Sequence, residues 1–161
     1  MLELKHIKKI YNPGTISETL LFEDFNLTVP DGEFVSIVGS NGSGKTSMLN
    51  IICGSIPIDS GRIIINGKDI RKDFEGAMAN VGGIVENPEM YKYLSGMENL
   101  RQYARMREGV TEERIKEVVE LVRLSNRIND KVSKYSLGMR QRLGVAQAIL
   151  HRPKLLILDE P

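Results

Sequence analysis

The segment Gly39-Ser40-Asn41-Gly42-Ser43-Gly44-Lys45-Thr46 fits the spacing G-x-x-x-x-G-K-[ST] in full, and Ser47 continues it. Glycines at such spacing let a backbone curl until several N–H groups converge on phosphate oxygens. A helix starting at the end of the curl adds partial positive charge. In that arrangement the Lys45 ammonium reaches the β- and γ-phosphates of a nucleotide, and the Thr46 hydroxyl coordinates Mg²⁺. The motif counts only if a buried strand leads in and a helix leads out. The nearly continuous apolar run Phe34-Val35-Ser36-Ile37-Val38 predicts that strand, and Ser47-Met48-Leu49-Asn50-Ile51-Ile52 predicts that helix.

A second group of reactive types closes the sequence. Leu155-Leu156-Ile157-Leu158 is an apolar run of strand length, and it ends in Asp159-Glu160. Parallel sheets place their ligands at the C-terminal ends of strands, where Asp159 emerges. There Asp159 would hold the Mg²⁺ shell, and Glu160 would orient or deprotonate a water attacking the γ-phosphate. Alone, the run reads equally well as a strand meeting a solvated turn. Lys45 and Thr46 upstream decide for the chemistry.

The elements that must carry these residues follow from hydrophobic period. Leu2, Leu4 and Ile7 predict an N-terminal strand, Phe25–Val29 alternates as a strand, and Arg62–Ile65 runs into the turn signal Asn66-Gly67. From about Asn87 to Lys154 the period turns helical. Ile115, Val118, Val119 and Val122 fall on one face, with Thr111 as N-cap and Glu112 and Glu113 in the first turn. Another helix runs from about Leu137 to Leu150 and must stop before Pro153. At 161 residues, 41% apolar and 27% charged, the chain suits one compact unit. Lys and Arg number 22 against 21 Asp and Glu, which argues against a dedicated nucleic-acid binder. No run is long enough to span a bilayer, the N-terminus does not read as a signal peptide, and Cys53 is the single cysteine. These features predict a cytoplasmic protein that meets a membrane only through partners.

The phosphate loop, the tract Lys134-Tyr135-Ser136-Leu137-Gly138-Met139-Arg140-Gln141-Arg142-Leu143 and the ending Leu-Leu-Ile-Leu-Asp-Glu-Pro together resemble the ATP-binding subunit of ABC transporters. That family's signature is usually Leu-Ser-Gly-Gly-Gln. Here Leu137 and Met139 depart from it in the manner of bacitracin- and lantibiotic-resistance exporters, while Ser136 and Gly138 are kept. By itself Ser136 reads as the N-cap of the next helix; beside the other two motifs it reads as the signature serine, its hydroxyl meeting a γ-phosphate. The resemblance also implies that Tyr11 stacks on adenine, where its alternative is a strand-surface tyrosine. It implies that Glu86, standing where the family usually has Gln, contacts Mg²⁺ or water. Residues 1 to about 70, with the insertion Asn12–Leu21, look more like an uptake-type subfamily, and the remainder looks bacitracin-like.

The implied fold is α/β: a P-loop core over 1–86 and 155–161, with an N-terminal antiparallel β region and a helical subdomain over 87–154. The implied activity is ATP binding and hydrolysis, with Mg²⁺, energising transport. The implied partners are transmembrane permease subunits and a second ATP-binding subunit packed head to tail, at the inner face of the membrane and without nucleic acid. A soluble ABC-type ATPase acting on DNA or ribosomes is the alternative, but no sustained heptads or basic block support it. The family places a loop aspartate and a switch histidine beyond the acidic strand. The sequence ends at Pro161, and His6 and His151 are not at the switch position. The expectation is therefore a fragment, marginally stable and prone to associate, which either hydrolyses ATP or binds it without turnover.

Overall fold

In the computed structural model, residues 1–86 and 89–159 are described. They form two compact units, Met1–Val81 and Gly82–Pro161, where the sequence suggests one.

In the first unit, β1 (Leu2–Tyr11) lies between β2 (Thr19–Val29) and β3 (Ser60–Ile65), and β3 turns into the short β4 (Lys68–Asp69). All three pairings are antiparallel, as the family resemblance implies for the N-terminal region. Leu2, Leu4 and Ile7 of β1 and Ile63 and Ile65 of β3 are buried, the half-buried alternation of a sheet with one covered face. Asn66 and Gly67 both take positive φ, 50° and 78°, the two-residue turn whose twist matches the flanking strands. At His6 the ladder shifts register and φ is 52°. Gly61 opposite has φ 99°, and a Cβ there would strike the carbonyls of Lys5 and His6. Only glycine admits the bulge. The helices of this unit are α1 (Lys45–Ile52), with Met48, Leu49, Ile51 and Ile52 buried, and the short α2 (Phe74–Met78), capped by Asp73.

Phe34–Val38 is not a strand. Phe34 is 93% and Val38 89% exposed, and the segment takes no part in a sheet among the described residues. A continuous apolar run states what a segment is able to bury. It becomes a strand only where neighbouring strands complete its hydrogen bonds, and the sheet of this unit runs β2-β1-β3-β4 without it.

The second unit holds β5 (Val81–Ile84, beginning at the boundary residue), α3 (Gly96–Arg105), α4 (Glu112–Leu121), a 3₁₀ turn at Val132–Lys134, α5 (Leu137–Ile149) and β6 (Leu155–Leu158). Each helix start has a side-chain cap. Ser95 accepts from the Glu98 amide at 3.2 Å while Glu98 accepts from the Ser95 amide at 2.7 Å, a reciprocal box. That Ser95 amide is the chief cause holding the Glu98 carboxyl below its usual range. Thr111 accepts from the Arg114 amide, as its position predicts. The stripe Ile115, Val118, Val119 and Val122 is buried as the period requires, against Leu100, Leu143 and Ala146.

The two strands β5 and β6 pair, and the Asp159 amide donates to the Ile84 carbonyl at 2.9 Å, so their C-terminal ends lie side by side. A Cβ at Gly82 would overlap the Ala148 carbonyl and the Pro153 ring, which brings β5 flush against the end of α5.

Asn99 is 1% exposed and ties α3 to the segment before it. Its Oδ1 accepts from the Tyr91 amide at 2.9 Å, and its Nδ2 donates to the carbonyls of Tyr91 (3.1 Å) and Ser95 (2.8 Å). Asn99→Leu strips partners from those backbone groups, and the unfolding free energy falls by about 3 kcal/mol. Arg101→Ala on the same helix breaks only the exposed pair with Glu112 and costs much less. Urea denaturation of both variants beside the wild type checks the contrast; equal losses would reduce the Asn99 bonds to the worth of a surface pair.

Candidate functional site

The phosphate loop belongs to the first unit. Its backbone folds on itself through the Ser43 amide, which donates to the Ser40 carbonyl at 3.2 Å, and Gly42 takes φ 81°. A Cβ on Gly39 would fall on the Ser43 hydroxyl, so any larger residue there fills the inside of the curl. Gly44 is the N-cap of α1, at φ 90° and ψ 12°, and it brings no side-chain oxygen to the helix start. The other four α-helices of the described residues begin at Asp73, Ser95, Thr111 and Ser136, each of which supplies its own acceptor. α1 is thus the helix that starts without a capping side chain, and its dipole favours an anion. The Lys45 ammonium bridges the loop, donating to the carbonyls of Gly39 at 2.7 Å and Ser40 at 2.9 Å. The loop Gly39–Ser43 is exposed, whereas Gly44 to Ser47 are half-buried and lead into the buried part of the helix.

Tyr11 is the last residue of β1, half-buried, in the same unit. The Lys9 ammonium stands over its ring, 5.1 Å from the centroid. Sequence reading missed Lys9. The available signal was a lysine two positions before the tyrosine on one strand, the spacing that lets two side chains share a face.

The remaining predicted residues lie in the second unit. Asp159, half-buried, follows directly on β6. Glu86 is two residues past β5 and has φ 65°, a left-handed backbone that costs a side-chain-bearing residue on the order of 1 kcal/mol. Asp159 and Glu86 therefore stand past the C-terminal ends of paired strands, where α/β sheets hold ligands. Glu160 lies outside the described residues. Ser136 is the N-cap of α5, its hydroxyl accepting from the Met139 amide at 3.2 Å, so the plain capping role is real. Ser136, Leu137 and Gly138 are all exposed. A Cβ on Gly138 would meet nothing within 4 Å among the described residues. Packing within this chain does not require a glycine there.

A triphosphate fits the first unit on these grounds: a curl that a Cβ would fill, a helix start without its own cap, and a lysine at its mouth. Mg²⁺ on a nucleotide takes most of its ligands from phosphate and water and only one or two from protein. In the first unit the Thr46 hydroxyl is a hard oxygen donor of the kind that suits it. Among the described residues no three His, Cys, Asp or Glu side chains form a metal cage.

Residues 22–161 match the family described as ABC transporter. The ABC transporter ATP-binding protein YhcH of Bacillus subtilis (strain 168) is 50% identical over 161 residues, all of this chain and 51% of that protein. The bacitracin transport ATP-binding protein BcrA of Enterococcus faecalis is 37% identical over 162 residues, again all of this chain and 51% of that protein. The chain spans about half the length of these curated relatives. Since YhcH matches from end to end, one relative accounts for both the part that looks uptake-like and the part that looks bacitracin-like. Among solved structures, the dimeric post-hydrolysis state of the ATP-binding cassette MJ0796 bound to ADP and Pi superposes with a TM-score of 0.86 at 26% identity, covering 100% of this chain and 74% of that one. A family match from residue 22 to residue 161, carried on the α/β fold of a solved cassette, means that this chain belongs to the ABC transporter family, among its ATP-binding proteins.

Proposed function

We propose that the chain binds ATP with Mg²⁺ and hydrolyses it to drive an ABC transporter of the exporter type. One observation carries the reading: α1 starts at a left-handed glycine without a cap of its own, with Lys45 bridging the loop beside it. Gly39 to Ser47 would wrap the phosphates with backbone amides, and Lys45 would exchange its loop carbonyls for β- and γ-phosphate oxygens. Tyr11 would stack on the adenine. The Thr46 hydroxyl and Asp159 would hold Mg²⁺, with Glu86 contacting it directly or through water. The bound metal neutralises charge that builds on the phosphates during transfer. Glu160 would accept a proton as a water oxygen bonds to the γ-phosphorus and the bond to the β–γ bridging oxygen breaks.

Ser136 and Gly138 complete the site from a second copy. The Ser136 hydroxyl and the start of α5 would meet the γ-phosphate held by the first copy's Lys45, and the bare surface at Gly138 allows the approach. The dimeric state of the similar cassette bound to ADP and Pi supports a pairing of two copies. In this reading residues 1–86 and 155–161 form the nucleotide core and 87–154 the helical subdomain. No helix of the described residues is long and apolar enough to cross a membrane, so transmembrane permease subunits would carry the substrate and hold the chain at the inner face of the membrane. The relative BcrA supports an exporter, by its name as a bacitracin transport protein.

Gly44→Ala puts a side chain at φ 90° and into the Leu21 side chain. The left-handed backbone costs on the order of 1–2 kcal/mol, so ATP affinity falls about tenfold in equilibrium dialysis. Lys45→Ala removes a charged donor and weakens ATP by about thirtyfold. Glu160→Gln keeps ATP binding and abolishes phosphate release. Normal turnover in that variant would remove Glu160 from the role of base. A wild type that binds ATP and releases no phosphate would leave the binding and overturn the hydrolysis.

A further inference from the structure

Lys9 is 8% exposed, an unusual place for an ammonium. A buried lysine gives up hydration and rotamer freedom, so the group it meets has to matter energetically. The structure gives that group as the Tyr11 ring, with Nζ 5.1 Å from the centroid and inside the reach of a cation–π contact. The backbone around it is unusually constrained. The β1–β2 register shifts on both sides of Lys9, between Ile7 and Lys9 and between Lys9 and Ile10. Such irregularities re-aim side chains and occur beside functional sites. On the other edge Asp59 clasps the residues on either side of Lys9: its carboxylate accepts from the Ile10 amide at 2.6 Å, and its amide donates to the Lys8 carbonyl at 3.0 Å.

We propose that Lys9 is a positioning residue for the nucleotide base: its ammonium pins the Tyr11 ring from one face and thereby presents the other face to adenine. The inference rests on the reading of Tyr11 as the adenine platform. A ring already fixed loses little freedom when a base stacks on it, and that saving appears as affinity. The cation also draws electron density from the ring, which favours stacking by an electron-rich purine. Lys9 acts on the base alone, because the triphosphate is held by Gly39 to Ser47.

The two halves of the ligand are separable by calorimetric titration with MgATP and with inorganic tripolyphosphate plus Mg²⁺, which engages the phosphate loop without a base. Lys9→Gln is expected to weaken MgATP about fivefold while tripolyphosphate binding is unchanged. Lys9→Arg, which keeps a cation able to stack on the ring, is expected to restore the wild-type affinity for MgATP. In a Tyr11→Ala background Lys9→Gln is expected to have no further effect, since the two act as one unit. Loss of both ligands together would mark Lys9 as a fold residue and overturn the proposal. MgATP affinity unchanged by Lys9→Gln but lowered by Tyr11→Ala would overturn it and leave the adenine platform standing. MgATP affinity unchanged by Tyr11→Ala would overturn the platform and the proposal with it.

Discussion

The proposed activity depends on one helix start that no capping side chain occupies. A helix start normally recruits a serine, threonine or aspartate, and four helices here do so. α1 does not, because Gly44 occupies the cap at a φ that side-chain-bearing residues resist. Placing glycine at that cap costs a few tenths of a kcal/mol of helix stability, and an eight-residue helix has little to spare. The four buried side chains of α1, Met48, Leu49, Ile51 and Ile52, offset the cost by fixing the helix from its C-terminal half. The phosphate loop is therefore held by the Lys45 bridge to its carbonyls and by the packing of the helix behind it, not by a helix cap.

The second unit solves a different problem, which is to hold α5 by both ends. Its N-terminus is the exposed Ser136 turn, and its C-terminus feeds the strand that delivers Asp159. Tyr135, buried just before that turn, donates its hydroxyl to the Arg127 carbonyl at 2.7 Å, and a Cβ at Gly96 would collide with that hydroxyl. At the far end the Arg114 guanidinium reaches from α4 to the carbonyls of Ile149 (2.8 Å) and Leu150 (3.1 Å), two of the last-turn groups a helix leaves unpaired. Gly82 lets β5 approach the same end closely. These polar anchors surround the apolar cluster of Leu100, Val118, Leu143 and Ala146, so the signature turn and the acidic strand are fixed to one core.

Local chemistry was legible in the sequence, and long-range pairing was not. The Asn66-Gly67 turn, the Thr111 cap and the stripe from Ile115 to Val122 all follow from residues within a few positions of each other, and all stand as read. α3 was also within reach, because Ser95 and Glu98 have the spacing of a capping box, but it went unnamed. The strand expected at Phe34–Val38 failed because an apolar run does not specify its neighbours. Positive φ at Glu86 and the bulge at His6 come from tertiary constraints that propensity does not encode. The Lys9–Tyr11 contact has a local signal in the two-residue spacing, but the burial of Lys9 depends on neighbouring strands that the spacing does not specify.

The departures in the signature tract follow the same division between what the chain needs for itself and what it does not. Met139 packs partly buried against the second unit's core, so a flexible apolar side chain there serves the chain's own packing. Leu137 is 58% exposed and fills no core position. Ser136 is kept, and its capping bond alone would account for that. Gly138 is not explained in this way. A glycine in the first turn of α5 costs up to about 1 kcal/mol relative to alanine, and a methyl group there would meet nothing within 4 Å among the described residues. A residue that weakens its own helix while filling no tight space is best accounted for by close approach from outside the chain. Under the proposed function, the second copy's nucleotide would be that approaching group.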